Sequence, residues 1–376
     1  MAEARALLTR GLKLLTGIPR ENEVRLRRAE VMLALGNVEM AVHGYGSPEH
    51  GAAFQEAVVL CRVLHGDCQD AGKLLARAVH GYWIYQLHTG QVMASQPIAA
   101  ELHDFGRTHN DPEVRRFAAT SYAVSCFLTG KLEEGAQVLN LELAEEPTRG
   151  QSQSALIGFG VDACSASYAV FSRIRACQGL SEEAAQQATI AVERARHLRH
   201  LPTIATCLIQ ACDVGWILRD PCFFKDWTCE LMELSDGLGF EYWRARCKAY
   251  LGWIAAAEGQ LVEGQTLLTA ALAELAGIGV ILYGPHIRSM LAEVYVGLDQ
   301  QHRALELLDE GLDVCSRTGE VWAEPELHRQ KGELLRSNPE VAKACSERSI
   351  KIARGQSAKL FELRATASLA RLFQAG

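Results

Sequence analysis

The sequence predicts an all-α fold, a superhelical solenoid built from antiparallel helix pairs. The main observation is a recurring unit of a helix, a short break, and a second helix with a polar or acidic first turn. The breaks fall at Gly90, Gly130, Gly179, Arg219, Gly259 and Asp299. The intervals between them are even, except for a longer one between Gly130 and Gly179. A period of about 40 residues is typical of helical repeat arrays, in which each unit buries its apolar face only against its neighbours. No stretch alternates with period two for long enough to predict a strand.

The stretch LGWIAAAEGQLVEG, residues 251–264, shows how one pair is predicted from local chemistry. Alanine favours helix, and Gly259 marks the helix end because glycine tolerates the left-handed conformation found there. Gly252 and Gly264 have no side chain, which lets two helices approach closely. The stretch therefore predicts a tight antiparallel pair, and its recurrence makes this pair one repeat among many.

Two further signals identify a helix face and a helix start. Small residues at i, i+4, i+7 and i+11 predict one packed helix face, formed by Ala184, Ala188, Ala191 and Ala195. Asp220 followed by Pro221 predicts the start of a helix, because aspartate accepts from free amide groups and proline suits the first turn.

These signals predict about eight helix pairs and one terminal helix. The pairs are 22–42 with 48–64, 68–88 with 91–108, 112–128 with 131–144, 157–178 with 181–197, 202–218 with 221–237, 241–258 with 261–276, 284–298 with 301–317, and 321–336 with 340–354.

The longer interval between the breaks at Gly130 and Gly179 contains a polar stretch rich in Gly, Ser and Gln. We interpret this stretch as a loop insertion over residues 145–156. No linker divides the chain, so residues 1–376 are predicted to form one repeat domain, capped by a helix at 359–374. Residues 1–20 look like the second half of a pair, so we expect a repeat cut short at this end.

Composition excludes several classes of protein. Of the 376 residues, 48% are hydrophobic and 22% are charged, which excludes a disordered or collagen-like chain. The net charge of −7 argues against general nucleic-acid binding, because phosphate contacts need a basic surface. No uncharged apolar run is long enough to cross a bilayer, and the N-terminus lacks the apolar core of a secretory signal. We therefore expect a cytoplasmic protein that binds neither nucleic acid nor a membrane.

The twelve cysteines are predicted to be reduced thiols rather than a disulfide framework. They are spread along the chain, and none forms Cys-x-x-Cys. Buried cysteine acts as a small apolar residue, and this interpretation is preferred to a thiol metal site for Cys207, Cys212, Cys222 and Cys229.

The spacing of small residues resembles the tetratricopeptide repeat. Leu251-Gly252 with Gly264 matches its Leu-Gly in the first helix and its small residue at the start of the second. Leu291-Ala292 with Ala304 matches similarly, although the period is longer than the one usual for that repeat, roughly 34 residues. The resemblance implies a right-handed superhelix whose concave face is lined by the first helix of each pair.

Residues 323–374, with further matches at 33–49, 81–91 and 240–260, resemble the C-terminal sensor region of large bacterial signalling proteins. In those proteins an adenylate/guanylate cyclase domain of class III, or a DNA-binding domain with a role in transcriptional regulation, precedes a P-loop ATPase. The chain has no G-x-x-x-x-G-K-[ST], since Gly72-Lys73 and Gly130-Lys131 are followed by Leu. The resemblance thus implies a sensor or scaffold module without its effector domain.

Catalytic and metal sites have little support. His197 and His200 lie at i, i+3 on a helix and would need further ligands to hold a metal, so a polar helix end is preferred. The acidic pairs at 133–134 and 182–183 occupy first helical turns, which is a structural position. No Ser/His/Asp set stands in a recognisable context. We predict no enzyme, no metal and no cofactor.

A binding groove is predicted by assigning equivalent positions in the first helix of each repeat to the concave face. The projected side chains are largely cationic or polar: Arg77, His80, Arg173, Asp213, Arg246, Trp253, His286 and Glu293. Such a groove would hold an acidic peptide or an anionic small ligand. The alternative is a solvated concave surface without a ligand.

The function predicted from the sequence is a non-enzymatic interaction and sensor module of a bacterial signal-transduction protein. Its partner would be a peptide, a protein segment or a small effector. The first alternative is an oligomerising scaffold, such as a homodimer, with no groove ligand. The second is a hydrolase or metal protein whose site is assembled across helices.

Overall fold

The computed structural model describes residues 2–16, 18, 22–64, 69–109, 111–145 and 160–374, and every regular element in these residues is an α-helix. The helices are, in chain order, α1 (Ala2–Thr16), α2 (Asn22–His43), α3 (Pro48–Leu64), α4 (Gln69–His88), α5 (Val92–Thr108), α6 (Pro112–Leu128), α7 (Leu132–Glu142), α8 (Ala163–Cys177), α9 (Ser181–Leu198), α10 (Leu201–Leu218), α11 (Pro221–Leu238), α12 (Glu241–Ala257), α13 (Leu261–Gly277), α14 (Gly284–Gly297), α15 (Gln301–Thr318), α16 (Glu324–Leu334), α17 (Pro339–Gly355) and α18 (Lys359–Gln374).

The predicted solenoid of antiparallel helix pairs is confirmed. Each even-numbered helix from α2 to α16 packs against the next helix, and α18 packs on the last pair. Most observed ends lie within two or three residues of the predicted ones. The fourth pair differs more, because α8 begins at Ala163, where the Asp162 side chain accepts from the Ser165 amide at 2.7 Å. The predicted insertion at 145–156 lies outside the described residues, except for Glu145.

The predicted breaks end the first helices as expected. All six break residues have a positive φ, between 58° and 87°. At Arg219 and Asp299 the left-handed conformation is adopted by a residue other than glycine, which is uncommon. The predicted start at Asp220 is confirmed, since its side chain accepts from the amides of Cys222 and Phe223.

Close packing within a pair has the predicted cause. A Cβ on Gly264 would lie 2.7 Å from the carbonyl oxygen of Gly252, and a Cβ on Gly252 would lie 2.9 Å from that of Gly264. Helices α12 and α13 therefore touch backbone to backbone at this point. The predicted alanine face on α9 is also buried, each of its four side chains being at most 1% exposed.

The prediction of buried cysteines is wrong for two residues. Eight of the eleven described cysteines are buried, but Cys222 and Cys229 on α11 are exposed. Helix α11 buries the opposite face, which carries Phe224 and Leu231 at i and i+7. The two thiols therefore face away from the core.

The superhelix closes on itself, so the prediction that each unit packs only on its neighbours is wrong at the ends of several pairs. The amide of Ile281 donates to the carbonyl oxygen of His88 at 2.8 Å, and the amide of Val321 donates to that of Leu128 at 2.9 Å. The turn at Gly46 also lies against the backbone of Gly279. The curvature of the array brings the ends of the first pairs onto the loops between later pairs.

Helix α10 is long and apolar enough to span a membrane by length and composition alone. However, 78% of this segment is buried among the other helices. A buried core helix passes the same test, so the finding is weak evidence for a membrane span.

Candidate functional site

A cavity of about 500 Å³ lies on the inner face of the superhelix. It is lined by the first helices of the first six pairs, α2, α4, α6, α8, α10 and α12, together with part of α3. Tyr45, in the turn after α2, and Leu282 and Tyr283, in the loop before α14, complete one side. The first helix pair and the loop before α14 thus both bound the cavity, because closure of the superhelix brings them together.

Four of the predicted groove residues, Arg77, His80, Arg173 and Arg246, line this cavity. Asp213 lies behind its wall and is fully buried. The other three, Trp253, His286 and Glu293, lie further along the inner face, outside the cavity. His286 is fully buried, and its ring packs against Trp216 and Trp322 with centroids 5.5 and 5.2 Å away.

A buried ion cluster joins three of the predicted residues. Arg173 donates to Asp213 at 3.3 Å and to the Tyr283 hydroxyl at 3.1 Å, while Arg246 donates to Asp213 at 2.6 Å. The Tyr250 hydroxyl also donates to Asp213. Burial disfavours the ionised carboxylate, but Arg246 and Arg173 outweigh it and lower the pKa of Asp213. The cluster connects α8, α10 and α12 at the cavity wall, with Arg173 and Arg246 in the lining and Asp213 behind them.

A second cluster accounts for Trp253 and Glu293. The Glu293 carboxylate accepts from Arg219 at 2.8 Å and from the Trp253 indole at 3.2 Å. Arg219 also donates to Glu326 at 2.6 Å. Burial alone would raise the pKa of Glu326, but the charges of Arg329 and Arg219 have the larger effect. The pKa is lowered overall, so this carboxylate stays ionised. These side chains bind one another rather than an open groove.

The imidazoles that line the cavity are neutral at pH 7. Burial lowers the pKa of His50 to about 4 and that of both His80 and His88 to about 3. It also lowers the pKa of His200. One ring nitrogen of His50 and one of His88 lie 3.1 and 2.8 Å from backbone carbonyl oxygens. These rings offer hydrogen bonds without charge.

The charge of the cavity is positive. Among the described residues that line it, Arg77, Arg173 and Arg246 are cationic and only Glu241 is acidic. With Asp213 behind the wall, three positive charges face two negative ones. Arg173 and Arg246 are both 1% exposed, whereas Arg77 is only partly buried.

Part of the cavity wall is aromatic and consists of Tyr45, His88, Tyr242 and Trp243. The rings of Tyr45 and His88 are stacked with centroids 4.4 Å apart, and Tyr242 meets Tyr45 edge-on at 4.8 Å. Tyr242 and Trp243 are both mostly buried, and both line the cavity. Sequence reasoning missed Tyr45, whose one signal is an aromatic residue between two glycines in a turn.

Several polar atoms in the cavity wall have no hydrogen-bond partner in the described part of the chain. They are His50 Nε2, Gln210 Oε1, Arg173 Nε and Arg246 Nε. A buried polar group without a partner costs about 1–3 kcal/mol. A core that served only for packing would avoid this cost.

The two histidines weighed as metal ligands do not act together. His197 is exposed on α9, and its Nδ1 lies 2.8 Å from the Glu193 carbonyl oxygen. His200 precedes α10 and contacts the Thr203 hydroxyl at 2.9 Å, on the cavity side. Within the described ranges, no group of three His, Cys, Asp or Glu side chains is placed to hold a metal ion.

No family model matches the chain, and no curated protein matches its sequence. Among solved structures, a Rap protein complexed with Competence and Sporulation Factor is similar with a TM-score of 0.55 and 11% identity, covering 93% of this chain and 99% of that chain. The APC/C hetero-tetramer Cut9–Hcn1 matches with a TM-score of 0.50 and 13% identity, and the match covers 95% of this chain and 64% of that chain. A signal transduction ATPase with a tetratricopeptide repeat sensor from Pyrococcus horikoshii matches with a TM-score of 0.44 and 12% identity. This match covers 88% of this chain and 50% of that chain. The fold is a tetratricopeptide-like solenoid.

Proposed function

We propose that this chain is a non-enzymatic binding and sensor module whose ligand occupies the cavity. The observation that carries the proposal is the cavity itself, which lies on the inner face where repeat arrays bind their partners. Its volume of about 500 Å³ falls within the range of ligand pockets in general, about 300–1,000 Å³. A short peptide, the end of a protein segment or a small effector would fit.

The fold supports this proposal. The Rap protein of similar fold was solved with Competence and Sporulation Factor bound, so a solenoid of this kind accommodates a signalling ligand. The unpartnered polar atoms in the wall and the neutral imidazoles give a ligand groups to bind. The proposed role requires no reaction on the ligand.

A sensor also needs a conformational change. The cavity is bounded by Tyr45 from the first pair and by Leu282 and Tyr283 from the loop before α14, two regions brought together by superhelical closure. A ligand that contacts both would favour the closed array over an open one. In a cytoplasmic bacterial signalling protein of the cyclase or ATPase-regulator type, this shift would be transmitted to an effector. A P-loop ATPase encoded in frame upstream would support this setting, and the absence of one would reject it.

The binding role is tested by filling the cavity. Val124 lines it and is half-buried, so Val124→Trp should occupy the space, whereas Val59→Trp places the same ring at a 60% exposed position on α3. Each protein is dialysed against a pool of short synthetic peptides and a metabolite extract, and retained compounds are identified by mass spectrometry. We expect the wild type and Val59→Trp to retain the same compounds and Val124→Trp to lose them. Equal retention by Val124→Trp would reject the cavity as the binding site.

An oligomerising scaffold is a second candidate, favoured by exposed apolar side chains on the two terminal helices. They are 62–68% exposed and comprise Leu7 and Leu14 on α1 and Leu363 and Phe373 on α18. Light scattering over a dilution series tests this role. A dimer that persists on dilution and dissociates in Leu363→Glu with Phe373→Glu would support the scaffold, and a monomer at all concentrations would reject it.

A further inference from the structure

The buried arginines of the cavity wall already have partners within the protein. Arg173 and Arg246 donate to Asp213 at 3.3 and 2.6 Å. The Arg173 guanidinium also lies over the Phe127 ring, 4.3 Å from its centre. That of Arg246 lies over the Tyr283 ring at 3.7 Å. A ligand anion would have to break these contacts to bind either arginine.

Carboxylates outside the lining balance the charge of the arginines. Arg77 is half-buried and has interactions of its own within the protein, including the charge of Glu30. Burial raises the pKa of Glu320 to about 7 although Arg246 acts to lower it, so this carboxylate is partly ionised at pH 7. The excess of positive charge on the lining residues therefore does not mark a cation that lacks an anion.

The lining that a ligand can reach is mostly apolar. Its half-buried apolar side chains, apart from aromatic ones, are Met40, Ile84, Val124, Val161 and Pro202. They lie on α2, α4, α6 and α10 and in the turn before α8, so apolar surface faces the space from several sides. Among the described lining residues the acidic one, Glu241, is exposed and so borders solvent.

The wall offers few partners for a buried peptide backbone. Each residue of a peptide brings one amide donor and one carbonyl acceptor that need partners. The described lining includes two side-chain amides, Asn37 and Gln210, of which Asn37 is exposed. Thr120 and Ser121 already donate to carbonyl oxygens of their own helix. A molecule with few polar groups avoids this mismatch.

We propose that the ligand is an uncharged, largely apolar organic molecule, held by burial of its surface rather than by an ion pair. This inference rests on the proposed function of the cavity and narrows its ligand to an apolar small effector, in place of the acidic peptide or anionic ligand expected from the sequence. Burial of apolar surface is favourable in proportion to its area, whereas a charged group would lose its hydration without gaining a free partner. The rings of Tyr45, Tyr242 and Trp243 add surface against which a planar ligand packs.

The test compares two fluorescent probes that share one aromatic body, the neutral N-phenylnaphthylamine and anilinonaphthalenesulfonate, which carries an added sulfonate. For wild type we expect one saturable site that binds the neutral probe at least about tenfold more tightly than the sulfonate. Val124→Trp should abolish this site, and Val59→Trp should keep it. A sulfonate bound as tightly as the neutral probe, or no saturable binding of the neutral probe, would overturn the proposal.

A cation introduced into the wall should reverse this preference. Val124→Lys would place an ammonium among apolar side chains, and we expect it to bind the sulfonate at least about tenfold more tightly than wild type does and the neutral probe more weakly. Val59→Lys adds the same charge at an exposed position on α3 and should change neither affinity. If Val124→Lys keeps its helical content by circular dichroism and gains no sulfonate binding, the wild-type wall already offers a cation and the proposal is wrong.

The retention assay separates this inference from the proposed function. The compounds that wild type retains and Val124→Trp loses should be uncharged at pH 7 and should partition from water into octanol. If they are charged, or are peptides, the apolar ligand is overturned and the cavity stays a binding site. If wild type retains no compound, the proposed function itself fails.

Discussion

At the residue scale, the chemistry of the cavity depends on imidazole rings that are held neutral. Burial lowers the pKa of His50 to about 4 and of His80 to about 3, whereas an unfolded histidine titrates near 6.5. Below about pH 6.5 the unfolded chain therefore binds more protons than the folded chain. The stability contributed by the neutral rings is present above this pH and is lost as the pH falls toward the folded pKa values.

The substitution His80→Asn tests this coupling. Asparagine keeps a polar group near the position of Nδ1, which lies 3.0 Å from the Ser121 hydroxyl, but it does not titrate. Between about pH 6 and pH 4 the unfolding free energy should fall less steeply than in wild type, by close to one proton, or about 1.4 kcal/mol per pH unit. Urea titrations at several pH values measure the slope, and the exposed His302→Asn is the control. An unchanged slope in His80→Asn would contradict a buried, neutral His80.

The ion cluster at Asp213 is a structural feature of the cavity wall. Asp213→Ala would leave Arg173 and Arg246 buried without their shared carboxylate, and we expect a loss of about 3–5 kcal/mol in unfolding free energy. Asp226→Ala, at an exposed position on α11, should change stability little. Denaturant midpoints compare the two variants. A loss in Asp213→Ala no larger than that in Asp226→Ala would contradict the cluster.

At the element scale, most of the fold was predictable because its signals are local. The breaks at Gly130 and Gly259 and the cap at Asp220 are recognised within a few residues of sequence, and each ends or begins a helix. The face of a helix that is buried is harder to predict from the sequence. Cys222 and Cys229 share a face of α11, but the spacing alone does not say whether that face is buried.

Close packing within a pair gives a sharp prediction on α13. Gly264→Ala should lower the unfolding free energy by about 1–3 kcal/mol, because its Cβ would press on the Gly252 carbonyl. Gly277→Ala on the same helix has no atom within 4 Å of the new Cβ and should be neutral or stabilising by up to about 1 kcal/mol. Thermal and urea denaturation of both variants measures the difference. Equal effects would contradict the close approach of α12 and α13.

At the scale of the whole molecule, closure of the superhelix could not be predicted from the sequence. It depends on the small rotation between successive pairs, which accumulates over the array and leaves no local pattern. The sequence therefore placed Arg77 and Arg173 on the inner face but did not show that Tyr45 and Tyr283 would bound the cavity from opposite ends of the array. For the same reason, it did not separate cavity residues from those in the filled interior, such as Glu293.

The central claim is that successive turns of the superhelix touch around the cavity. Hydrogen exchange of the Ile281 and Val321 amides tests it most directly, because these loop amides donate to His88 and Leu128, far away in the sequence. We predict slow exchange of both amides in wild type, and faster exchange at Ile281 in Gly46→Ala, whose Cβ would overlap the Gly279 backbone. Exchange of both wild-type amides at the rate of unprotected loop amides would contradict the closed superhelix and the cavity that depends on it.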